Sequence, residues 1–287
     1  MSKLREDLYR ERFNKVFDYI DQHLAGALSV EQLSQVAHFS KFHFHRQFSD
    51  YCGISVIRYI QLIRLKHASY RLAFSSDRIT EIALDAGFEN PESFSRAFKN
   101  TFGQTPSEFR KQPKWQPWSE RYQFPNRDRK KTMEVKISNF KQAKIAVLEH
   151  LGAPTLVNDS VKIFIDWRKS SGLSPVQTSQ SFGIVYDNPD TTPPDDFRFD
   201  ICGSVSQDVP TNSQGIINKT IPDGRCAVVR HLGSHDRLGE SIYYLYREWL
   251  PSSGEELRDF PLFFHYLNLM PNTPEHELVT DIYLPLK

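Results

Sequence analysis

The sequence predicts a multidomain chain. An all-α N-terminal domain with two helix-turn-helix motifs precedes an α+β domain built from two repeated strand–helix–strand units with antiparallel sheet. Three observations predict it. Val30, Leu33, Ala37 and Phe39 recur 49 residues later as Ile79, Ile82, Ala86 and Phe88, and Phe44, Arg46, Phe48 and Gly53 recur 50 later as Phe94, Arg96, Phe98 and Gly103. A repeat kept through a one-residue insertion marks a repeated supersecondary unit. Ala146-Val147-x-x-His150-Leu151-Gly152 recurs 81 residues later as Ala227-Val228-x-x-His231-Leu232-Gly233. Charge divides along the same line: residues 1–132 hold 22 Lys/Arg against 15 Asp/Glu, and residues 133–287 hold 14 against 20, within a net charge of +1. A basic half joined to an acidic half suggests that only the first faces a polyanion.

In chain order, residues 4–23 read as a helix, with Leu8, Phe13, Val16, Phe17, Ile20 and Leu24 at helical spacing. Ser29 and Gln32 form a capping-box start for a helix over 30–37, followed by a turn at His38-Phe39 and a helix over 41–51. Residues 54–73 form one long helix with a wide apolar face of Ile57, Ile60, Leu62, Ile63, Leu65, Ala68 and Leu72. At ~30 Å it nearly matches the ~34 Å between successive major grooves on one side of a duplex, so it can hold two reading heads in register. In the second copy Ile79, Ile82, Ala83 and Ala86 make a one-sided stripe, and Gly87 supplies a left-handed stop. Asn90 caps the next helix with Pro91 at its first position, Phe94, Ala97, Phe98 and Phe102 turn inward, and Ser93, Ser95, Arg96 and Lys99 face out. Gly103 ends it and Thr105-Pro106 starts another. The second helix of such a motif can enter a major groove.

The spacing of Ile82-Ala83-x-x-x-Gly87-Phe88, Ser93-Phe94-x-Arg96-x-Phe98-Lys99 and Gly103-x-Thr105-Pro106-x-x-Phe109-Arg110 is specific. On these motifs residues 5–111 resemble the DNA-binding domain of the AraC/XylS family of bacterial transcription regulators. The resemblance implies seven helices, double-stranded promoter or operator DNA as partner, and base-reading positions on the third and sixth helices. Here these are Lys41, Phe42, His45 and Arg46 in the first, and Pro91, Glu92, Ser95 and Arg96 in the second, with Lys99 on the same outer face. Phe44, Phe48, Phe94 and Phe98 read as core. Arg46 and Arg96 recur at one offset and suit groove or phosphate contact, since arginine engages guanine in bidentate fashion. Glu92 repels phosphate and can usefully accept only from cytosine.

Residues 113–132 read as a basic linker, with Pro113, Pro117 and Pro125 against regular helix and Trp115, Trp118, Tyr122 and Phe124 to pack it down. The domains expected are therefore residues 1–112 and 133–287. In the second, β-branched stretches at 144–150 and 225–231 read as strands, each followed by a helix (156–169 and 238–250) and a further strand (182–186 and 262–267). A last strand covers 278–284, and 187–196 is a loop. Through His231-Leu232-Gly233, the Tyr243…Trp249-Leu250 helix, Pro261 to Tyr266 and Thr280 to Pro285, residues 135–287 resemble GyrI-like effector-binding domains. The resemblance implies a small-molecule effector. Many such domains place an acidic residue in the strand matching 263–266 to pair with cationic drugs; here Phe264 stands there, which removes the counter-ion a buried cation needs. Phe182, Tyr186, Tyr243, Phe264 and Tyr283 are the candidates to line a single aromatic cleft between the two repeats, suited to an aromatic or apolar effector.

No cofactor or metal is expected: the chain has no metal-ligand spacing and no Gly-rich phosphate loop, and Cys52, Cys202 and Cys226 are scattered. Neither His231 nor His265 lies in a nucleophile motif, so an enzyme is not expected. The alternatives are a hydrolase or a protein-interaction module in the C-terminal half. The charged N-terminus and the lack of any apolar run of ~20 residues predict a soluble cytoplasmic protein with no membrane partner. RNA polymerase is a further candidate partner.

Overall fold

The computed structural model describes residues 2–115 and 133–287, with side chains described from residue 11 onward. Pro117, Trp118, Tyr122, Phe124 and Pro125 of the expected linker lie outside the described residues. The chain divides into two compact units, Met1–Lys130 and Lys131–Lys287.

The first unit is helical: α1 (Ser2–Gln22), α2 (Val30–Val36), α3 (Lys41–Cys52), α4 (Val56–Phe74), α5 (Ile79–Asp85), α6 (Pro91–Phe102) and α7 (Pro106–Lys111). Most starts are fixed by a short polar side chain. Ser29, Ser40, Ser55, Asn90 and Thr105 each accept from a backbone N–H of the first turn, and Ser29/Gln32 and Thr105/Glu108 close full capping boxes. Such caps are worth about 1 kcal/mol each. Gly53 and Gly103 end α3 and α6 in the left-handed conformation at φ 71° and 75°.

Two separate cores share α4. Phe13, Phe17, Leu24, Leu33, Phe44 and Phe48 pack on its first half through Val56, Tyr59, Ile60 and Ile63. Ile82, Ala83, Phe94, Phe98, Phe102 and Phe109 pack on its second half through Leu65, Ala68, Leu72 and Ala73. Trp115 belongs to this second core, 5% exposed and with ring centroids 5.0 Å from both Tyr70 and Phe109. A boundary at residue 112 would therefore cut away part of the core. Trp115 packs as its aromatic ring suggests, three residues past the expected end of the domain.

The two turns differ in one respect. Gly87 takes φ 77°, and its counterpart 49 residues earlier, His38, is held at φ 53°. A residue with a Cβ is strained by about 1–2 kcal/mol there, partly offset by glycine's greater freedom when unfolded. His38→Gly is expected to stabilise the first motif by about 0.5–1 kcal/mol, read as a higher melting temperature of the protein. A lower one would show that the His38 side chain contributes more than the strain removes.

The second unit holds one continuous antiparallel sheet in the order β1-β6-β8-β7-β3-β4-β2-β5. The strands are β1 (Val135–Phe140), β2 (Ala143–Leu151), β3 (Ser181–Val185), β4 (Arg198–Ser204), β5 (Ile217–Ile221), β6 (Gly224–Leu232), β7 (Leu262–Tyr266) and β8 (Val279–Pro285). Two tight connections force it to curl. Only Lys141-Gln142 lie between β1 and β2, and only Pro222-Asp223 between β5 and β6, although each pair sits near opposite ends of the order. In a flat sheet those strands would be ~29 Å apart, whereas the connections reach at most ~11 Å. The inner face is accordingly closed upon itself. Phe140, at the end of β1, lies 4.9 Å from Phe263, 5.3 Å from Tyr283 and 6.0 Å from Phe182.

The other face carries α8 (Val157–Ser171) and α9 (Leu238–Tyr244), the latter continuing through a π-helical turn (Leu245–Trp249) into α10 (Leu250–Ser253). The 81-residue repeat extends well beyond its motif. His150 Nδ1 bonds Ser160 Oγ at 2.8 Å, and His231 Nδ1 bonds Ser241 Oγ at 2.9 Å, each tying a strand end to the following helix. The π-helical turn adds one residue, so Trp167 of α8 corresponds to Trp249, 82 positions on.

Candidate functional site

The first candidate surface is the pair of helices α3 and α6. Phe44, Phe48, Phe94 and Phe98 are fully buried, which fixes which face of each helix turns outward. On α3 that face carries Lys41, Phe42, His45 and Arg46, all exposed, with Phe42 at 88%. On α6 it carries Glu92, Arg96 and Lys99, exposed, with Pro91 and Ser95 half-buried. Among the described residues Arg46 and Arg96 take no intramolecular hydrogen bond or ion pair, so both guanidinium groups keep all five donors for an external acceptor. The two helices hang from the two halves of α4, whose 19 residues span about 28 Å.

The second candidate surface lies on the sheet. Of the five aromatic residues expected to share one cleft, the sheet divides them between its two faces. Register explains the division: Phe182 stands opposite His265, and Gly183 opposite Phe264. Side chains alternate between faces along a strand, so Phe182 and Phe264 point to opposite sides. Phe182 and Tyr283 belong to the closed inner core with Phe263, Cys202 and Cys226. Tyr186 is 37% exposed. Its hydroxyl donates to Asp200 at 2.8 Å, and Lys219 bridges Asp200 (2.7 Å) and Glu149 (2.6 Å). Burial, helped by the Asp200 charge, pushes the Tyr186 hydroxyl up to about 12. Tyr243, on α9, donates to Asp190 in the loop after β3, and Arg247 lies 4.1 Å over its ring.

Only Phe264 of the five points from the sheet toward the helices. It packs with Leu262, Ile282 and Leu284, its ring 6.4 Å from Phe199 and 6.0 Å from Tyr266. Beside it, Gly183 leaves room that other rings use. A Cβ there would stand 2.5 Å from the Phe199 ring and 2.9 Å from the Tyr266 hydroxyl. Phe199, Tyr266 and His235 are all half-buried, with His235 5.0 Å from the Tyr266 ring. Burial holds the Tyr266 hydroxyl above its ordinary value. This helix-side patch groups aromatic rings around one glycine. Sequence reasoning missed Gly183, Phe199, His235 and Tyr266. One signal was present: 81 residues separate Gly183 from Phe264, so the pseudo-symmetry pairs a missing side chain with a large ring.

The histidines at the strand ends are engaged. His231 Nε2 lies 3.0 Å from the Ser234 carbonyl, which makes Nε2 the donor and Nδ1 the acceptor of the Ser241 hydroxyl. Ser241 is fully buried. His265 stacks 4.8 Å from Phe182 in the inner core, where burial lowers its proton affinity. Among the described residues no group of three His, Cys, Asp or Glu is placed to hold a metal ion, and no helix is long and apolar enough to cross a membrane.

Comparison with known proteins gives two family matches. The GyrI-like small molecule binding domain covers residues 133–287, and a helix-turn-helix domain covers residues 33–112. The probable transcriptional regulator YgiV of Escherichia coli K12 is 48% identical over 155 residues, 54% of this chain and 97% of that protein. The uncharacterized HTH-type transcriptional regulator YbfP of Bacillus subtilis strain 168 is 40% identical over 102 residues, 36% of this chain and 35% of that protein. Among solved structures, the EcmrR C-terminal domain aligns with 54% of this chain and 98% of its own, at 19% identity and a TM-score of 0.46.

Proposed function

The chain belongs to the GyrI-like small-molecule-binding family and joins that domain to an AraC-type helix-turn-helix DNA-binding domain, and on that premise we propose a one-component regulator that reads two adjacent major grooves and adjusts its grip when a small molecule binds. Lys41, Phe42, His45 and Arg46 enter one groove; Glu92, Ser95, Arg96 and Lys99 enter the next, with Pro91 at the start of α6. The observation that carries this is the repeated exposure of an unpartnered arginine at the same offset on two helices, Arg46 and Arg96, above buried phenylalanines. The effector is apolar and aromatic, and it lies on the helix-side patch of Phe199, Phe264 and Tyr266. RNA polymerase is a further partner, and the protein acts in the cytoplasm, where the DNA is.

The C-terminal domain senses and does not catalyse. Each of its two His–Ser pairs also bonds a backbone carbonyl through the other ring nitrogen, Ser241 is buried out of reach of substrate, and the same pair recurs in both repeats as a strand-to-helix tie.

A fragment of residues 1–115, which keeps Trp115 in its core, tests the first half of the proposal. In a gel shift with the upstream region of its own gene it is expected to bind alone, with affinity falling steeply as salt rises because phosphate contacts release counterions. A folded fragment that binds no DNA at low salt would contradict it.

A further inference from the structure

The two cores of the N-terminal unit meet along α4, and the Arg64 side chain of that helix lies against backbone on both sides. Arg64 lies between Ile63, which packs in the first core, and Leu65, which packs in the second. Its Nε donates to the Leu24 carbonyl at 2.9 Å and its Nη2 to that of Gly26 at 2.6 Å. Both carbonyls follow the end of α1, and Leu24 itself is buried in the first core. The other side of the guanidinium lies against the turn of the second motif. A Cβ on Gly87 would stand 2.5 Å from Nη1 and 3.2 Å from Cζ. Gly87 also takes a left-handed φ of 77°, so the conformation favours glycine and an added Cβ would have to push the guanidinium aside.

The contact is polar on one side and steric on the other. Two fixed donors hold the guanidinium plane against the link between α1 and α2, whose Leu24 packs in the first motif's core, and the second motif's turn rests on that plane. Half-buried and without a carboxylate partner among the described residues, Arg64 has its proton affinity lowered by burial. Arginine is suited to such a place because its planar fork is pre-organised and well tolerated away from water. A helix alone fixes the distance between two motifs, but their rotation about its axis depends on what packs across it.

We propose that Arg64 is a positioning residue for DNA recognition, locking the orientation of α6 relative to α3 and so setting which half-site spacing the protein accepts. It rests on the two-groove reading above. Inserting one base pair between half-sites moves the second by about 3.4 Å and turns it by about 34°. Locked heads cannot follow that movement, whereas loosened heads can, at the loss of the advantage that rigid linkage gives to simultaneous binding.

The experiment uses the full-length chain and a duplex it selects from a random pool. Affinities are measured for that duplex, for each half-site alone, and for the duplex with one base pair inserted. For the unaltered chain the insertion is expected to weaken binding about tenfold or more. Arg64→Ala is expected to weaken binding to the selected duplex about tenfold, to leave each half-site within about twofold, and to shrink the insertion penalty to about threefold or less. Arg64→Lys, which keeps the charge but cannot grip both carbonyls, should give the same pattern if the alanine variant is unstable. Gly87→Ala, which displaces the guanidinium from the other side, should give it too. An insertion penalty unchanged in these variants would overturn the proposal, as would half-site affinities that fall in step with the full site. If the unaltered chain selects no duplex at all, the two-groove reading fails first.

Discussion

Phe264→Glu is expected to lower stability by about 3–5 kcal/mol while raising affinity for a lipophilic cationic dye at least about tenfold. Phe264 is 5% exposed, among Leu262, Ile282 and Leu284 with Phe199 and Tyr266 beside it. Its neighbours there are apolar and aromatic, so ionising a carboxylate in that setting is costly. The introduced acid should titrate above its ordinary range. Its ionisation then opposes folding only above the unfolded value near ~4.3, so the loss should be smaller at pH 5 than at pH 8. A bound cation supplies the missing counter-charge, and the dye should restore part of the melting temperature by mass action. Dye titration and thermal melts on both proteins check this together. If the unaltered protein already binds the dye tightly and the substitution changes nothing, Phe264 does not touch the effector.

The second expected effect concerns the two arginines. Arg46→Ala and Arg96→Ala should each weaken binding by about 1–3 kcal/mol if they read guanine in bidentate fashion. Arg46→Ala should weaken it more, because exposed Glu92 lies on the same helix as Arg96 and works against phosphate approach there. Competition with unrelated duplex separates two outcomes: a loss confined to the selected sequence means base reading, and a uniform loss means phosphate positioning. Equal losses, or a larger one for Arg96→Ala, would contradict the ranking.

The N-terminal unit was legible because its signals are local. The caps at Ser29, Asn90 and Thr105, the stops at Gly53 and Gly103 and the phenylalanine spacing all act within a few residues. The left-handed turn at His38 was hidden because histidine does not announce a positive φ as Gly87 does. Arg64 was hidden too, since a lone arginine in a long helix looks solvated until the fold brings Leu24, Gly26 and Gly87 around it.

The second unit was legible in its repeat and helices but less so in its sheet. β1 is mostly exposed, and β5 reads INKTI, so neither shows clean alternation. β4 carries Asp200 and Gly203 in its middle, residues that usually mark loops. Face assignment failed for a sharper reason. Whether Phe182 shares a side with Phe264 depends on pairing register, and a shift of one residue reverses every side chain. Register here is set by the curl of the whole sheet, which no single strand reveals.

The central claim is that one chain reads two neighbouring grooves with two copies of one motif. Dimethyl sulfate protection of the full-length protein on its selected duplex tests it most directly, because methylation at guanine N7 reports major-groove contact. Two protected patches on one side of the duplex, centred about 10 base pairs apart, with one lost in Arg46→Ala and the other in Arg96→Ala, are expected. A single patch, unaffected by one of the two substitutions, would contradict it.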